Sequence, residues 1–301
     1  MDLAKLKTGY LNTHDKKECY GCEACAGICP KRAISMEEDE YGFRYPSVDY
    51  NLCIECGLCH KVCPVENATK RNKNLESYGG YINDKKIREQ STSGGSFSAI
   101  LWAFFYEKGI KHIAYGAAAK GLKVVHESAL KYEECEKFRS SKYTQSRLNN
   151  TYVDIEKYLK SGWHVLFSGT PCQVFGLLNY LSVKKADRSN LVTVEVLCAG
   201  VATPVLFQKY DQYLKEKYDS PIKAFFWRYK DRNRWDYNCC SYVLQNGKKK
   251  VIDRWFSGYW SLFTQRLLMR PSCEKCPLKG SERVADISLG DLWGVDREYP
   301  E

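Results

Sequence analysis

Cys19-Tyr20-Gly21-Cys22-Glu23-Ala24-Cys25-Ala26-Gly27-Ile28-Cys29-Pro30 and Cys53-Ile54-Glu55-Cys56-Gly57-Leu58-Cys59-His60-Lys61-Val62-Cys63-Pro64 repeat one pattern, C-x2-C-x2-C-x3-C-P. Together they hold eight of the 15 cysteines in the 301-residue chain. A proline follows each fourth cysteine and turns the chain away, because proline cannot continue a helical hydrogen-bond ladder. Between the runs, Ala33-Ile34-Ser35-Met36 and Gly42-Phe43-Arg44-Tyr45-Pro46 read as two short strands, with Glu37-Glu38-Asp39-Glu40 as the turn.

This is the spacing of a bacterial two-cluster ferredoxin. Three cysteines two residues apart can wrap one face of an iron-sulfur cube, while the fourth points the other way and ligates the other cluster. Carried over, one 4Fe-4S cluster takes Cys19, Cys22, Cys25 and Cys63, and the second takes Cys53, Cys56, Cys59 and Cys29. A pair of zinc sites is the competing reading, but zinc typically uses two separated Cys pairs per ion. A disulfide framework competes less well still.

The remaining sequence implies a second, larger unit. The hydrophobic fraction is 44% and the aromatic fraction 14%, enough for a packed core. Residues 1–18 lack an apolar signal-peptide segment, and the longest apolar run, Phe97 to Tyr106, is half a membrane span. These features predict a cytoplasmic protein with no membrane span, and metal-ligating cysteines suit a reducing compartment. The net charge of +10 is spread along the chain without a dense basic block. Nucleic-acid binding is therefore not expected, and steering of an acidic redox partner or an anionic cofactor fits better.

After a cluster module over residues 1–65 and a polar linker over 66–76, residues 77–301 alternate strand-like and helix-like segments. The expected class is α/β, α+β overall: a small ferredoxin-like domain, then a larger α/β domain. Ser77 to Ile82 reads as a strand and Ser96 to Lys108 as a helix, with Ser91-Thr92-Ser93-Gly94-Gly95 able to present backbone N–H groups to a phosphate. His112 to Ala118 and Leu122 to Glu127 read as a strand pair, and Thr151 to Lys160 as a helix after a polar loop, Ser140 to Ser146. The strand Trp163 to Phe167 runs into Ser168-Gly169-Thr170-Pro171-Cys172-Gln173, where Thr170 suits the N-cap and Pro171 the first helical position. That placement predicts a lowered thiol pKa for Cys172.

A second strand, Leu191 to Leu197, ends at Cys198-Ala199-Gly200, and Thr203-Pro204 repeats the cap. Further strands are expected over Ile222 to Tyr229, Asp236 to Gln245 and Lys248 to Ile252, and a helix with an aromatic core stripe over Trp255 to Leu268. Arg270-Pro271-Ser272-Cys273-Glu274-Lys275-Cys276-Pro277 supplies two more cysteines. With Cys172 and Cys198 the count reaches four, which implies a third 4Fe-4S cluster. The early stop at Glu301 suggests that a C-terminal segment is missing.

From Ser91 to Gly294 the chain resembles the family formed by the beta subunits of coenzyme F-420 hydrogenases and dehydrogenases, whose bacterial members often carry a fused N-terminal ferredoxin module. The matching residues are Ser93-Gly94-Gly95, Ser141-Lys142-Tyr143 with Gln145-Ser146, Ser168 to Gln173, Cys198 with Gly200, Arg270 to Cys273 with Cys276, and Asp286-Ile287 with Gly290-Asp291 and Trp293-Gly294. The resemblance implies an α/β domain that binds FAD and an iron-sulfur cluster. Its flavin-site candidates are Ser93, Gly94, Gly95, Ser141, Lys142, Gln145, Gly169 and Thr170. Cys172, Cys198, Cys273 and Cys276 become cluster ligands, with Cys172 alternatively facing the flavin. Where many relatives read Cys-His-Gly, this chain reads Cys198-Ala199-Gly200, so no proton donor, and no catalytic residue, is assigned.

The function these features imply is an iron-sulfur flavoprotein oxidoreductase passing electrons between 4Fe-4S clusters and FAD, with a small-molecule or deazaflavin-type substrate. The expected partner is a redox protein: a ferredoxin, or a hydrogenase or dehydrogenase subunit. The alternative is a non-catalytic electron-transfer subunit of a larger redox complex.

Overall fold

The computed structural model describes residues 8–67, 72, 76–230 and 239–293. A short helix α1 (Tyr10–Thr13) leads into the first cysteine run, whose last part forms α2 (Ala24–Ile28). β1 (Ile34–Glu38) and β2 (Arg44–Val48) pair antiparallel, and the second run forms α3 (Leu58–Val62). The two short helices pack on each other, and the α/β domain follows.

α4 (Lys85–Gln90) and α5 (Ser96–Tyr106) come next, then β3 (His112–Lys120), β4 (Lys123–Ala129), α6 (Thr151–Lys160), β5 (His164–Gly169), α7 (Pro171–Val183) and β6 (Leu191–Val196). With β10 (Ile287–Leu289) they build a five-stranded sheet in the order β10-β6-β5-β3-β4, parallel except for β4 at one edge. A three-stranded antiparallel sheet, β7 (Ile222–Phe226), β8 (Cys239–Leu244) and β9 (Lys249–Asp253), packs with α8 (Pro204–Tyr218) and α9 (Gly258–Thr264). Its core joins Phe207, Phe225 and Trp227 to Tyr259, Trp260 and Phe263 of the expected aromatic stripe, whereas Trp255 and Phe256 of that stripe are exposed.

Several expectations change. Residues 77–82 form no strand; Ile82 N–H instead donates to the Gly94 carbonyl at 2.8 Å, and Gly80, Tyr81 and Ile82 pack against Gly94 and Gly95. The aromatic helix contracts to α9 behind a 3-10 turn over residues 254–256, since Ser257 caps it through the Trp260 N–H. Residues 68–71 and 73–75 of the predicted linker, 236–238 of the predicted strand, and Gly294 lie outside the described residues. Around that linker the chain is tied down: Asn179 Nδ2 donates to the Asn67 carbonyl, and Asn72 bridges to Arg283.

One core serves both domains. Cys22, Ala24, Ile28 and Val62 from the cysteine runs are buried together with Tyr152, Leu177, Tyr180 and Leu181 from α6 and α7. Burial of apolar area at about 25 cal/mol per Å² therefore holds the small domain against the large one.

Candidate iron-sulfur centres

Each cysteine run must double back on itself, and it does so with two residues in the left-handed region. In the first run they are Gly21 (φ 66°) and Glu23 (φ 59°); in the second, Glu55 (φ 51°) and Gly57 (φ 68°). The turn aims backbone amides at sulfur: Gly21 N–H at Cys19 Sγ, 3.4 Å, Glu55 N–H at Cys53 Sγ, 3.4 Å, and Ala33 N–H at Cys29 Sγ, 3.3 Å. Such donors favour the thiolate that binds iron, and they tune a cluster's potential.

The two runs approach each other, and Cys25 feels the charge of Cys59 as well as those of its own side. Cys22 feels the charges of Cys25 and Cys63, and Cys25 those of Cys19 and Cys63. Burial pushes both thiols well up and pushes Cys63 up to about 11. Cys29, the fourth cysteine of the first run, instead lines one cavity of about 210 Å³ with Cys53, Cys56 and Cys59. This outer group lies at the surface: Cys56 is exposed, and Tyr50, Leu52 and Ile54 are exposed beside it.

A third group forms where the strands end. α7 starts at Thr170 with a capping box, Thr170 N–H donating to Gln173 Oε1 at 3.0 Å, and this sets Cys172 in the first turn. Cys172 lies near enough to feel the charges of Cys198, Cys273 and Cys276, and Cys198 those of the last two. Thr170 Oγ1 lies 3.2 Å from Cys172 Sγ. The expected low pKa of Cys172 does not survive folding. Burial and the neighbouring thiols push it up, outweighing the helix end, and burial pushes Cys198 up to about 12.

Burial raises the thiols of Cys172, Cys198 and Cys273, and a bound metal would take their protons. Among the described residues no three His, Cys, Asp or Glu side chains converge closely enough for a single metal ion. Thiolates around a cubane stand wider apart than ligands of one ion.

The inner and third groups are neighbours. Cys22 also feels the charge of Cys172, and Cys172 Sγ lies 4.0 Å from the Tyr20 carbonyl. Between them sits Arg270, 1% exposed, whose importance sequence reasoning missed. Its sequence signals are its place three residues before Cys273 and its membership of the Arg270 to Cys273 stretch that carries the family resemblance.

The flavin-site candidates do not form one group. Gln145 Nε2 donates to the Tyr20 and Gly21 carbonyls, and its Oε1 accepts from Arg270, so this side chain joins the two domains. Lys142 Nζ donates to the carbonyls of Lys137, Phe138 and Arg139, and burial pushes it down to about 7. Gly169 and Thr170 belong to the third cysteine group. Ser93, Gly94 and Gly95 adjoin Ser141, whose N–H donates to Thr92 Oγ1 at 2.8 Å.

Similarity to known proteins follows this division. Residues 18–67 match the 4Fe-4S dicluster domain, and residues 163–300 match the C terminus of the coenzyme F420 hydrogenase/dehydrogenase beta subunit. Over those residues the chain is similar to these beta subunits, and a dicluster domain precedes the match.

A subunit of the F(420)H(2) dehydrogenase from Methanosarcina mazei is 26% identical over 167 residues, 52% of this chain and 46% of that protein. A subunit of the NADH-quinone oxidoreductase from Pelobacter propionicus is 31% identical over 74 residues, 22% of this chain and 39% of that protein. The chain thus spans less than half the length of either. A chain of the F420-reducing [NiFe] hydrogenase complex from Methanosarcina barkeri superposes with a TM-score of 0.42 at 17% identity over 69% of each chain, too loosely to argue from. The relatives are subunits of oxidoreductases, and the role of this chain is redox, through 4Fe-4S clusters. No helix among the described residues is long and apolar enough to cross a membrane.

Proposed function

We propose that the chain is part of an iron-sulfur flavoprotein oxidoreductase, with three 4Fe-4S clusters forming a line from the surface to a flavin. The observation that carries this reading is the convergence of Cys172, Cys198, Cys273 and Cys276 beside Cys22. Four cysteines from three separate segments meet at the carboxyl ends of β5 and β6, where open α/β sheets place their ligands. In this line Cys53, Cys56, Cys59 and Cys29 hold the outer cluster, Cys19, Cys22, Cys25 and Cys63 the inner one, and the four downstream cysteines the third.

The residues fix geometry and exclude water, while the exposed Tyr50, Leu52 and Ile54 offer the outer site to a redox partner protein. For FAD the candidates narrow to Ser93, Gly94, Gly95 and Ser141, with Gly169 and Thr170 on the third-cluster side. Gly95 caps α5 without a side-chain hydrogen bond and leaves the first helical N–H groups open to a phosphate. Lys142 and Gln145, engaged within the chain, leave the set. Bound there, FAD would join one-electron traffic to a two-electron exchange with a small-molecule or deazaflavin-type substrate.

A second reading, a non-catalytic electron-transfer subunit, draws on that engagement of Lys142 and Gln145. Iron and flavin analysis of the anaerobically purified chain separates the two. The first predicts about twelve irons and one FAD per chain; iron without flavin would leave the second standing alone.

A further inference from the structure

Arg270 is buried, and no acid among the described residues pairs with it. Its Nε donates to the Cys19 carbonyl at 2.8 Å, Nη2 to the Arg44 carbonyl at 3.0 Å and Nη1 to Gln145 Oε1 at 3.1 Å. The guanidinium lies 4.4 Å from the Tyr45 ring centroid and 5.5 Å from that of Phe43. All of these partners are neutral, and among the described residues no carboxylate forms an ion pair with it. Arginine does not give up its proton in proteins, so this site keeps a full positive charge in a water-poor interior.

A buried charge is costly unless an opposite charge compensates it. The groups that flank Arg270 are cysteines: Cys19 through the carbonyl it binds, and Cys273, whose N–H donates to the Arg270 carbonyl at 2.8 Å. The space is tight as well, for a Cβ on Gly21 would meet the guanidinium carbon at 2.8 Å.

We propose that Arg270 is the counter-ion of the inner cluster site, shared with the third, and that its charge raises their reduction potentials relative to the outer site. The idea rests on the three-cluster reading above. Reduction adds an electron, and a fixed positive charge nearby favours the reduced form. The outer site, on the far side of the small domain, lacks this neighbour and acts as an internal reference. Arg270 here is a positioning and tuning residue, since its hydrogen bonds go to backbone and to Gln145.

The test uses the full chain, loaded anaerobically, as Arg270→Gln and as Gln145→Glu. The second variant keeps the arginine and places a carboxylate against its Nη1. Iron is counted first, and each site is then titrated by EPR-monitored reduction, the inner signal being identified by its loss in Cys22→Ser.

Both variants are expected to disfavour reduction of the inner site at least tenfold, about 59 mV for one electron, with the outer site unmoved. Should Arg270→Gln shed its iron, Gln145→Glu decides alone. An inner potential unchanged in a fully loaded variant overturns the proposal, and so does an equal shift of inner and outer sites. A parent chain with about eight irons would remove the third cluster, while the inner-site shift would still decide the role of Arg270.

Discussion

In the first cysteine run the two left-handed positions are Gly21 and then Glu23; in the second they are Glu55 and then Gly57, the same residue types in reverse order. The backbone path is shared, so the order reflects surroundings. Gly21 lies under Arg270 and Gln145, where a side chain has no room. Glu23 is 6% exposed and works as a tie: its carboxylate accepts from Arg44 at 2.7 Å and from the Asn149 N–H at 2.9 Å. That second bond reaches into the loop before α6. In the outer run Glu55 is exposed, and a Cβ on Gly57 would meet nothing within 4 Å. One motif has thus become a docking face in its first copy and an open face in its second.

Exchanging these four residues tests the contrast through the midpoint of anaerobic urea unfolding. Gly21→Ala combines left-handed strain with overpacking against Arg270 and should cost about 3 kcal/mol, with loss of iron from the inner site. Glu23→Ala leaves Arg44 and the Asn149 N–H without their acceptor, at about 2 kcal/mol. Gly57→Ala carries the backbone strain alone, about 1 kcal/mol. Glu55→Gly removes a strained non-glycine residue from an exposed turn and should stabilise slightly, by about 0.5 kcal/mol, because the relief exceeds the added chain entropy. Equal costs for Gly21→Ala and Gly57→Ala would break the contrast.

Much of this was legible in the sequence because local chemistry governs it. Each repeated cysteine run ends in a short helix, and Thr170-Pro171 and Thr203-Pro204 mark helix starts that form as expected. The alternation of segments points to the α/β class for the same reason. What stayed hidden depends on contacts between distant residues. Gln145 carries the polar character of a ligand-binding side chain, yet it donates to the Gly21 carbonyl 124 residues away in the chain. Nothing local reveals that Arg270 is buried, or that Cys172 loses its helix-end advantage to burial. Residues 77–82 have strand-like composition, but their hydrogen bond goes to the Gly94-Gly95 turn and not to a strand.

On the reading proposed above, Cys172, Cys198, Cys273 and Cys276 hold a third cluster beside the inner one. Iron and sulfide counts on the anaerobically purified chain and on its Cys273→Ser variant test it most directly. About twelve irons are expected in the parent and about eight in the variant. About eight in both would contradict it.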